Sequence, residues 1–170
     1  MPNKTFIIAE LSANHNGSKQ TAIDSIRAAK QAGADAIKIQ TYTADTLTLD
    51  CDKPEFLAGD IWEGEKLYDL YKRAYTPWEW HEEIFKVAHE EGLVCFSTPF
   101  DKTAVDLLES LKSPIYKIAS FEITDIPLIQ YVASKHKPII LSTGIAMEED
   151  IELALKTIRK EGNNDITLLK

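Results

Sequence analysis

The run AIKIQ at residues 36–40 decides the fold, because five other segments repeat its character: FIIAE at 6–10, LVCFS at 93–97, IYKIA at 115–119, PIILS at 138–142 and ITLLK at 166–170. Each is short, rich in β-branched residues and apolar on nearly every position, the pattern of a parallel strand covered on both faces. Segments of helical period lie between them. Ser18 opens one whose inward stripe is Ala22, Ile26 and Ala29, ending at Gly33. Thr76-Pro77-Trp78-Glu79 reads as a capping box with proline at the first helical position, leading through Ile84 and Val87 to Gly92. Asp101 caps a third helix carrying Ala104, Leu108 and Leu111, and Thr124 or Asp125 caps a fourth through Leu128 and Val132. A fifth carries Ile151, Ala154, Leu155 and Ile158 and stops near Gly162.

Strand and helix thus alternate five times before a sixth strand, which predicts an α/β fold with a parallel sheet and right-handed crossovers. Two closures compete. An open doubly wound sheet would be complete at this length. A parallel (β/α)8 TIM barrel needs about 250 residues, so this chain would be a truncated barrel of five βα units plus a sixth strand. The chain stops inside an apolar strand with no covering helix, which favours the barrel. One connection, 41–75, is long and rich in aromatics: Tyr42, Phe56, Trp62, Tyr68, Tyr71 and Tyr75. Leu67, Leu70 and Tyr71 in it have helical spacing. Loops of this length are lids or binding loops, or else packed surface excursions. No linker or low-complexity tract interrupts the chain, so residues 1–170 read as one domain.

Composition excludes some classes of function. The 170 residues are 44 % hydrophobic and 27 % charged, ordinary for a globular domain, and the net charge of −8 disfavours nucleic acid or an anionic membrane as partner. The opening apolar run meets Glu10 too soon for a signal peptide, and no stretch approaches the roughly 20 apolar residues of a membrane span. Cys51 and Cys95 lack metal spacing, and Cys95 reads as a buried thiol, in keeping with a cytoplasmic protein.

In parallel α/β folds chemistry gathers at the carboxyl ends of strands, and polar residues gather there in this chain. Glu10 ends the first strand and leads into Asn14 and His15; Lys38 and Gln40 stand in the second; Thr98 ends the third. Lys117 interrupts the fourth, with Ser120 and Glu122 after it, and Ser142 ends the fifth. Desolvating an unpaired ammonium costs several kcal/mol, so Lys38 and Lys117 either pair with carboxylates such as Glu10 or Glu122 or face the mouth to hold an anion. Thr98, Ser120 and Ser142 would complete a cradle for phosphate or carboxylate. Glu10 and Glu122 are candidates for acid/base work or for sugar hydroxyls. His15 either bonds within its loop or touches substrate, while His81, His89 and His136 read as solvated. No pair of histidines has metal spacing, and no P-loop, G-x-G-x-x-G or nucleophile elbow occurs.

The motifs FIIAELSANHNGS, GADAIKIQTYTADTLTL, GDIWEGEKLYDLYKRAYTPWEWH, CFSTPF, YKIASFE and LSTGIA, in this order, resemble the sialic acid synthase family over residues 6–170. The IWEG, LYDLY, TPWEWH and KIASFE elements look more like its pseudaminic acid branch than its N-acetylneuraminate branch. The resemblance implies a TIM barrel followed by a C-terminal antifreeze-like domain in a homodimer. It further implies a divalent metal, Mn2+ or Mg2+, and two substrates: phosphoenolpyruvate and an N-acetylated sugar as its open-chain aldehyde. By motif, Lys38, Thr98, Lys117, Ser120 and Ser142 would bind phosphoenolpyruvate, Glu10 and Gln40 the sugar or reacting centre, and Glu122 would serve as acid/base; Asn14 and His15 belong to a matching motif. The last barrel strands, the metal-binding histidines and the antifreeze-like domain would lie beyond residue 170, and the 170 residues alone are expected to be inactive. Two rival readings are a class I aldolase-like barrel with a lysine Schiff base and a non-catalytic sugar-binding paralogue.

Overall fold

Six strands form one sheet in simple chain order: β1 (Ile8–Ser12), β2 (Ala36–Thr41), β3 (Val94–Pro99), β4 (Tyr116–Ile118), β5 (Ile139–Ser142) and β6 (Ile166–Leu169). In this computed structural model, which describes residues 5–170, every neighbouring pair is parallel. A doubly wound sheet must reverse its strand order at a switch point. This order never reverses, so right-handed crossovers leave every helix on one face and the other face turned inward. The sheet is therefore a half-barrel of TIM type.

Among the described residues seven α-helices accompany it: α1 (Lys19–Gln31), α2 (Ala44–Leu47), α3 (Leu67–Ala74), α4 (His81–Glu90), α5 (Lys102–Ser110), α6 (Ile126–Ala133) and α7 (Glu148–Lys160). Local chemistry starts and stops them. The Ser18 side chain accepts from Thr21 N, and Asp101 accepts from Thr103 N and Ala104 N. Asp125 rather than Thr124 caps α6, through Leu128 N. Gly33 and Gly92 take φ values of 91° and 69°, the left-handed turn that ends a helix at no steric cost to glycine. The expected capping box at Thr76 does not form. The chain there makes a 3-10 turn, Trp78–Trp80, before α4, and the buried Thr76 hydroxyl is spent on His15 instead.

The core lies between sheet and helices in two clusters. Leu11, Ile37, Ile39 and Cys95 pack with Ile23 and Ile26 of α1 and Ile84 of α4. Tyr116, Ile118, Ile139 and Leu141 pack with Leu108 of α5, Ile129 of α6 and Ile158 of α7. Burial pushes the Cys95 thiol pKa up, which keeps it an inert thiol. Each fully buried Leu or Ile contributes about 1.5–3 kcal/mol, so these clusters supply the main driving force.

The long connection is an ordered excursion. It contains α2, 3-10 turns at Pro54–Phe56 and Asp60–Trp62, a bridge between Leu57 and Lys66, and α3. Its anchor is aromatic. The Tyr42 ring meets Tyr71 at 5.9 Å and Phe100 at 5.5 Å, both edge-on, and Trp78 Nε1 donates to Tyr42 O at 3.3 Å. Tyr68 adds a 2.9 Å hydrogen bond to Asp45. Among the described residues no helix is long and apolar enough to cross a membrane.

Candidate active site

Strand parity builds the site. Side chains alternate between faces along a strand, and Ile37, Ile39, Cys95, Tyr116, Ile118, Ile139 and Leu141 all point into the helix-side clusters. Their neighbours Lys38, Gln40, Phe96, Thr98, Lys117 and Ser142 therefore point to the inner face. Register then aligns them. Glu10 stands opposite Lys38, Gln40 opposite Thr98, and Ser97 opposite Tyr116, so Thr98 lies beside Lys117.

Lys38 and Lys117 are each only 5 % exposed. They come from β2 and β4 with β3 between them, and they are close enough for the charge of Lys38 to act on Lys117. Lys38 Nζ stands 3.6 Å from the carboxylate of Glu10, which is itself open to solvent. Burial lowers the Lys38 pKa, partly opposed by Glu10. Lys117 is held differently. Its Nζ donates to Ile118 O at 2.8 Å and to Ser142 Oγ at 2.6 Å, both neutral acceptors. Burial first, and then repulsion from Lys38, bring its pKa down to about 8, against the pull of Glu10 and Glu122.

The loops after β4 and β5 lock together over these lysines. Ser120 Oγ accepts from Ile145 N at 2.9 Å, and a methyl group on Gly144 would come within 3.0 Å of that oxygen. A side chain there would be tight, and Ser120 would have to give by a few tenths of an ångström. Glu122 stands in the 3-10 turn Phe121–Thr124. Its Oε2 is buried without a hydrogen-bond partner among the described residues. Burial raises the Glu122 pKa; its own backbone amide opposes that, Asp125 adds to it and Lys117 opposes it. A carboxyl held this way keeps its proton to higher pH than an exposed one does.

Gln40, Ser120 and Glu122 form the polar part of a cleft of ≈ 470 Å³, whose remaining wall is Tyr42, Leu47, Tyr71, Phe100, Ala119 and Phe121. Sequence reasoning missed that apolar wall as part of the site. The signal was the density of aromatics in 41–75, but nothing local said which of them would reach the strand ends. The structure thus brings together Glu10, Lys38, Gln40, Thr98, Lys117, Ser120, Glu122 and Ser142. Asn14 is exposed on the loop after β1, where it borders a hollow that Glu10 also lines and a second one beside Trp62 and Arg73.

Of the histidines, His15 takes the loop-bonding alternative and His81 departs from expectation. His15 is 1 % exposed: Nδ1 accepts from Gly17 N at 3.2 Å, so Nε2 donates to Thr76 Oγ1 at 3.1 Å. Both nitrogens are occupied, Trp80 packs edge-on at 5.3 Å, and burial keeps the ring neutral by lowering its pKa. His15 accordingly ties its loop to α4's lead-in rather than offering a nitrogen to substrate. His81 is fully buried, not solvated. Nδ1 donates to Pro77 O at 3.1 Å, which leaves Nε2 to accept from Thr41 Oγ1 at 2.9 Å, and Thr41 in turn accepts from Ser97 Oγ at 2.7 Å. His136 lies in the turn after α6 with φ 53° and His89 on α4; both are exposed as read. Among the described residues no group of three or more His, Cys, Asp or Glu could hold a metal ion.

A sequence model described as NeuB family matches residues 25–170. The chain is 52 % identical over 98 % of its length to a pseudaminic acid synthase of Campylobacter jejuni, covering 49 % of that protein. It is 50 % identical over 96 % of its length to a pseudaminic acid synthase of Helicobacter pylori, covering 48 % of it. The chain therefore spans about half the length of these relatives. Among solved structures, an N-acetylneuraminic acid (sialic acid) synthetase from Leptospira borgpetersenii serovar Hardjo-bovis, in complex with citrate, superposes with a TM-score of 0.85 at 29 % identity, over 98 % of this chain and 53 % of that one.

Proposed function

The chain belongs to the NeuB family, and on that premise we propose that the intact protein condenses phosphoenolpyruvate with an N-acetylated sugar aldehyde to give a nine-carbon sialic-acid-type sugar of the pseudaminic acid branch. One observation carries the proposal. Two buried ammonium groups, Lys38 and Lys117, share the inner face with Thr98 and Ser142, and one carboxylate, that of Glu10, stands near Lys38 at 3.6 Å. Lys117, bonded only to neutral acceptors, keeps its charge available for a phosphorylated acid.

The chemistry assigned to these residues is acid/base and electrostatic. C3 of phosphoenolpyruvate attacks the aldehyde carbon, forming the new C–C bond while the carbonyl π pair moves to the aldehyde oxygen, which takes up a proton, and positive charge gathers at C2. Water adds at C2 and gives up a proton. The C2–O bond to phosphate then breaks, phosphate leaves with the electron pair, and loss of the hydroxyl proton makes the ketone. Lys38 and Lys117 bind the dianion and stabilise the departing phosphate, a role worth a few kcal/mol in the transition state. Thr98, Ser120 and Ser142 orient the phosphate and carboxylate oxygens, Glu10 and Gln40 orient the sugar, and Glu122 holds or moves the proton. The expected divalent metal, Mn2+ or Mg2+, would polarise the aldehyde, and its ligands would come from outside these residues. The same reading carries a cytosolic homodimer.

The test is an isotope experiment on the intact protein. Phosphoenolpyruvate labelled with oxygen-18 in the bridging C–O–P position is turned over with an acetamido sugar. Label in the released phosphate is expected. Label retained in the sugar acid would reject C–O cleavage and the proposal with it. A second reading is favoured by the pKa of Lys117, about 8: an amine so easily freed of its proton suits a Schiff base. Borohydride with a carbonyl substrate should leave Lys117 unmodified under the first reading and reductively trapped under the second.

A further inference from the structure

The cleft has two chemically different walls. One carries Gln40 and Glu122, whose buried Oε2 has no partner among the described residues and so awaits a polar group of a ligand. The other is made by Tyr71 and Leu47 of the excursion with Tyr42 and Phe100 at the ends of β2 and β3. This second wall is rigid. Tyr42 is clamped edge-on between Tyr71 at 5.9 Å and Phe100 at 5.5 Å, and its backbone carbonyl is held by Trp78. A fully hydroxylated sugar would press hydroxyls against the faces of these rings and the Leu47 alkyl group, surfaces that return no hydrogen bond, and burying an unpartnered hydroxyl costs binding. An N-acyl group satisfies both walls: its amide can be met by Gln40 while its methyl lies against the rings.

Resting on the reading of this cleft as the acceptor site, we propose that Tyr71 is a specificity-determining residue that selects acceptors bearing an N-acyl methyl, by completing the apolar wall against which that methyl packs. α3 is thereby more than a surface excursion, since it brings the Tyr71 side chain to the cleft that Gln40 lines. The ring, rather than the phenol hydroxyl, performs the selection.

The experiment compares kcat/KM of the intact protein for two acceptors differing by one oxygen, N-acetyl and N-glycolyl, read as phosphate release. The wild type should favour N-acetyl by about 10- to 100-fold, the discrimination an apolar pocket exerts against an added hydroxyl. Tyr71→Ala should cut that preference by about tenfold, mainly by slowing the N-acetyl acceptor, with the KM for phosphoenolpyruvate within about twofold of wild type. Tyr71→Phe should retain the preference. Should Tyr71→Ala fail to fold, Tyr71→Met keeps the volume without the ring and should still lower the preference about threefold. A preference unchanged in Tyr71→Ala, or in Tyr71→Met where only that variant folds, overturns the inference, as does equal turnover of both acceptors by the wild type. Wild-type protein releasing no phosphate with either acceptor overturns the functional reading and the inference together.

Discussion

On the helix-covered face of β2 and β3, the buried polar groups complete one another: Ser97 donates to Thr41, Thr41 to His81, and His81 to the Pro77 carbonyl. On the inner face of the same strands and β4, Lys38 has a carboxylate only at 3.6 Å, Lys117 has two neutral acceptors, and Glu122 Oε2 has no partner among the described residues. Burial is similar on both faces, but the bonding is not. Polar groups that serve the fold saturate each other, because every orphan in the interior costs about 1–3 kcal/mol. Groups that serve a ligand keep unused donors, acceptors and charge, and the protein tolerates that cost at its site.

Substitution on each face tests this contrast. The largest effect is expected at Lys117. Lys117→Ala in the intact protein should lower kcat/KM for phosphoenolpyruvate by about 10²- to 10³-fold, with the acceptor KM nearly constant, as measured by steady-state phosphate release. Kinetics like those of the wild type would erase the functional half of the contrast. His81→Ala should do the opposite, costing about 2–3 kcal/mol of stability by orphaning Thr41 and Pro77 O. Denaturant unfolding reads that loss, and kcat/KM of the folded fraction should hold.

A smaller effect comes from pH. With the Lys117 pKa near 8, its ammonium is present below that value and lost as pH rises through it. Phosphoenolpyruvate affinity should therefore fall above pH about 8, by at most about tenfold per pH unit. Calorimetric titration gives the curve, and Lys117→Arg, whose charge persists, should remove the inflection. The same depressed value means that the folded chain binds fewer protons than the unfolded one between about 8 and the ordinary lysine value of 10.5, so this group's penalty on stability fades as pH rises across that window. The smallest effect is expected at Asp101, which touches neither set. Asp101→Ala should remove the α5 cap for about 1 kcal/mol, seen in thermal unfolding, with kinetics unmoved.

Much of the site could be read from the chain because Lys38 and Lys117 interrupt apolar strands, and a charge in such a run must either be paired or face a ligand. Alternation along the strand then sends Gln40 and Thr98 the same way. Lys38 and Glu10 do approach each other as an ion pair, whereas Lys117 found a carbonyl and a hydroxyl. His81 was misread because a histidine on a helix with two glutamates after it looks solvated. Its partners lie 40 residues away on β2 and, through Thr41, on β3. The apolar wall was illegible for the same reason: Tyr71 reaches the cleft only because Tyr42 and Phe100 fix where α3 sits.

Strand and helix positions, parallel pairing and the caps at Ser18, Asp101 and Asp125 follow from local periodicity and hydrogen-bonding chemistry, which act over a few residues and so are written in order along the chain. The shared field of two lysines separated by β3, the loop contact at Gly144 and the rigid aromatic wall come from tertiary structure alone. Each depends on which distant surfaces exclude water together, and that is settled only when the whole sheet closes over its helices.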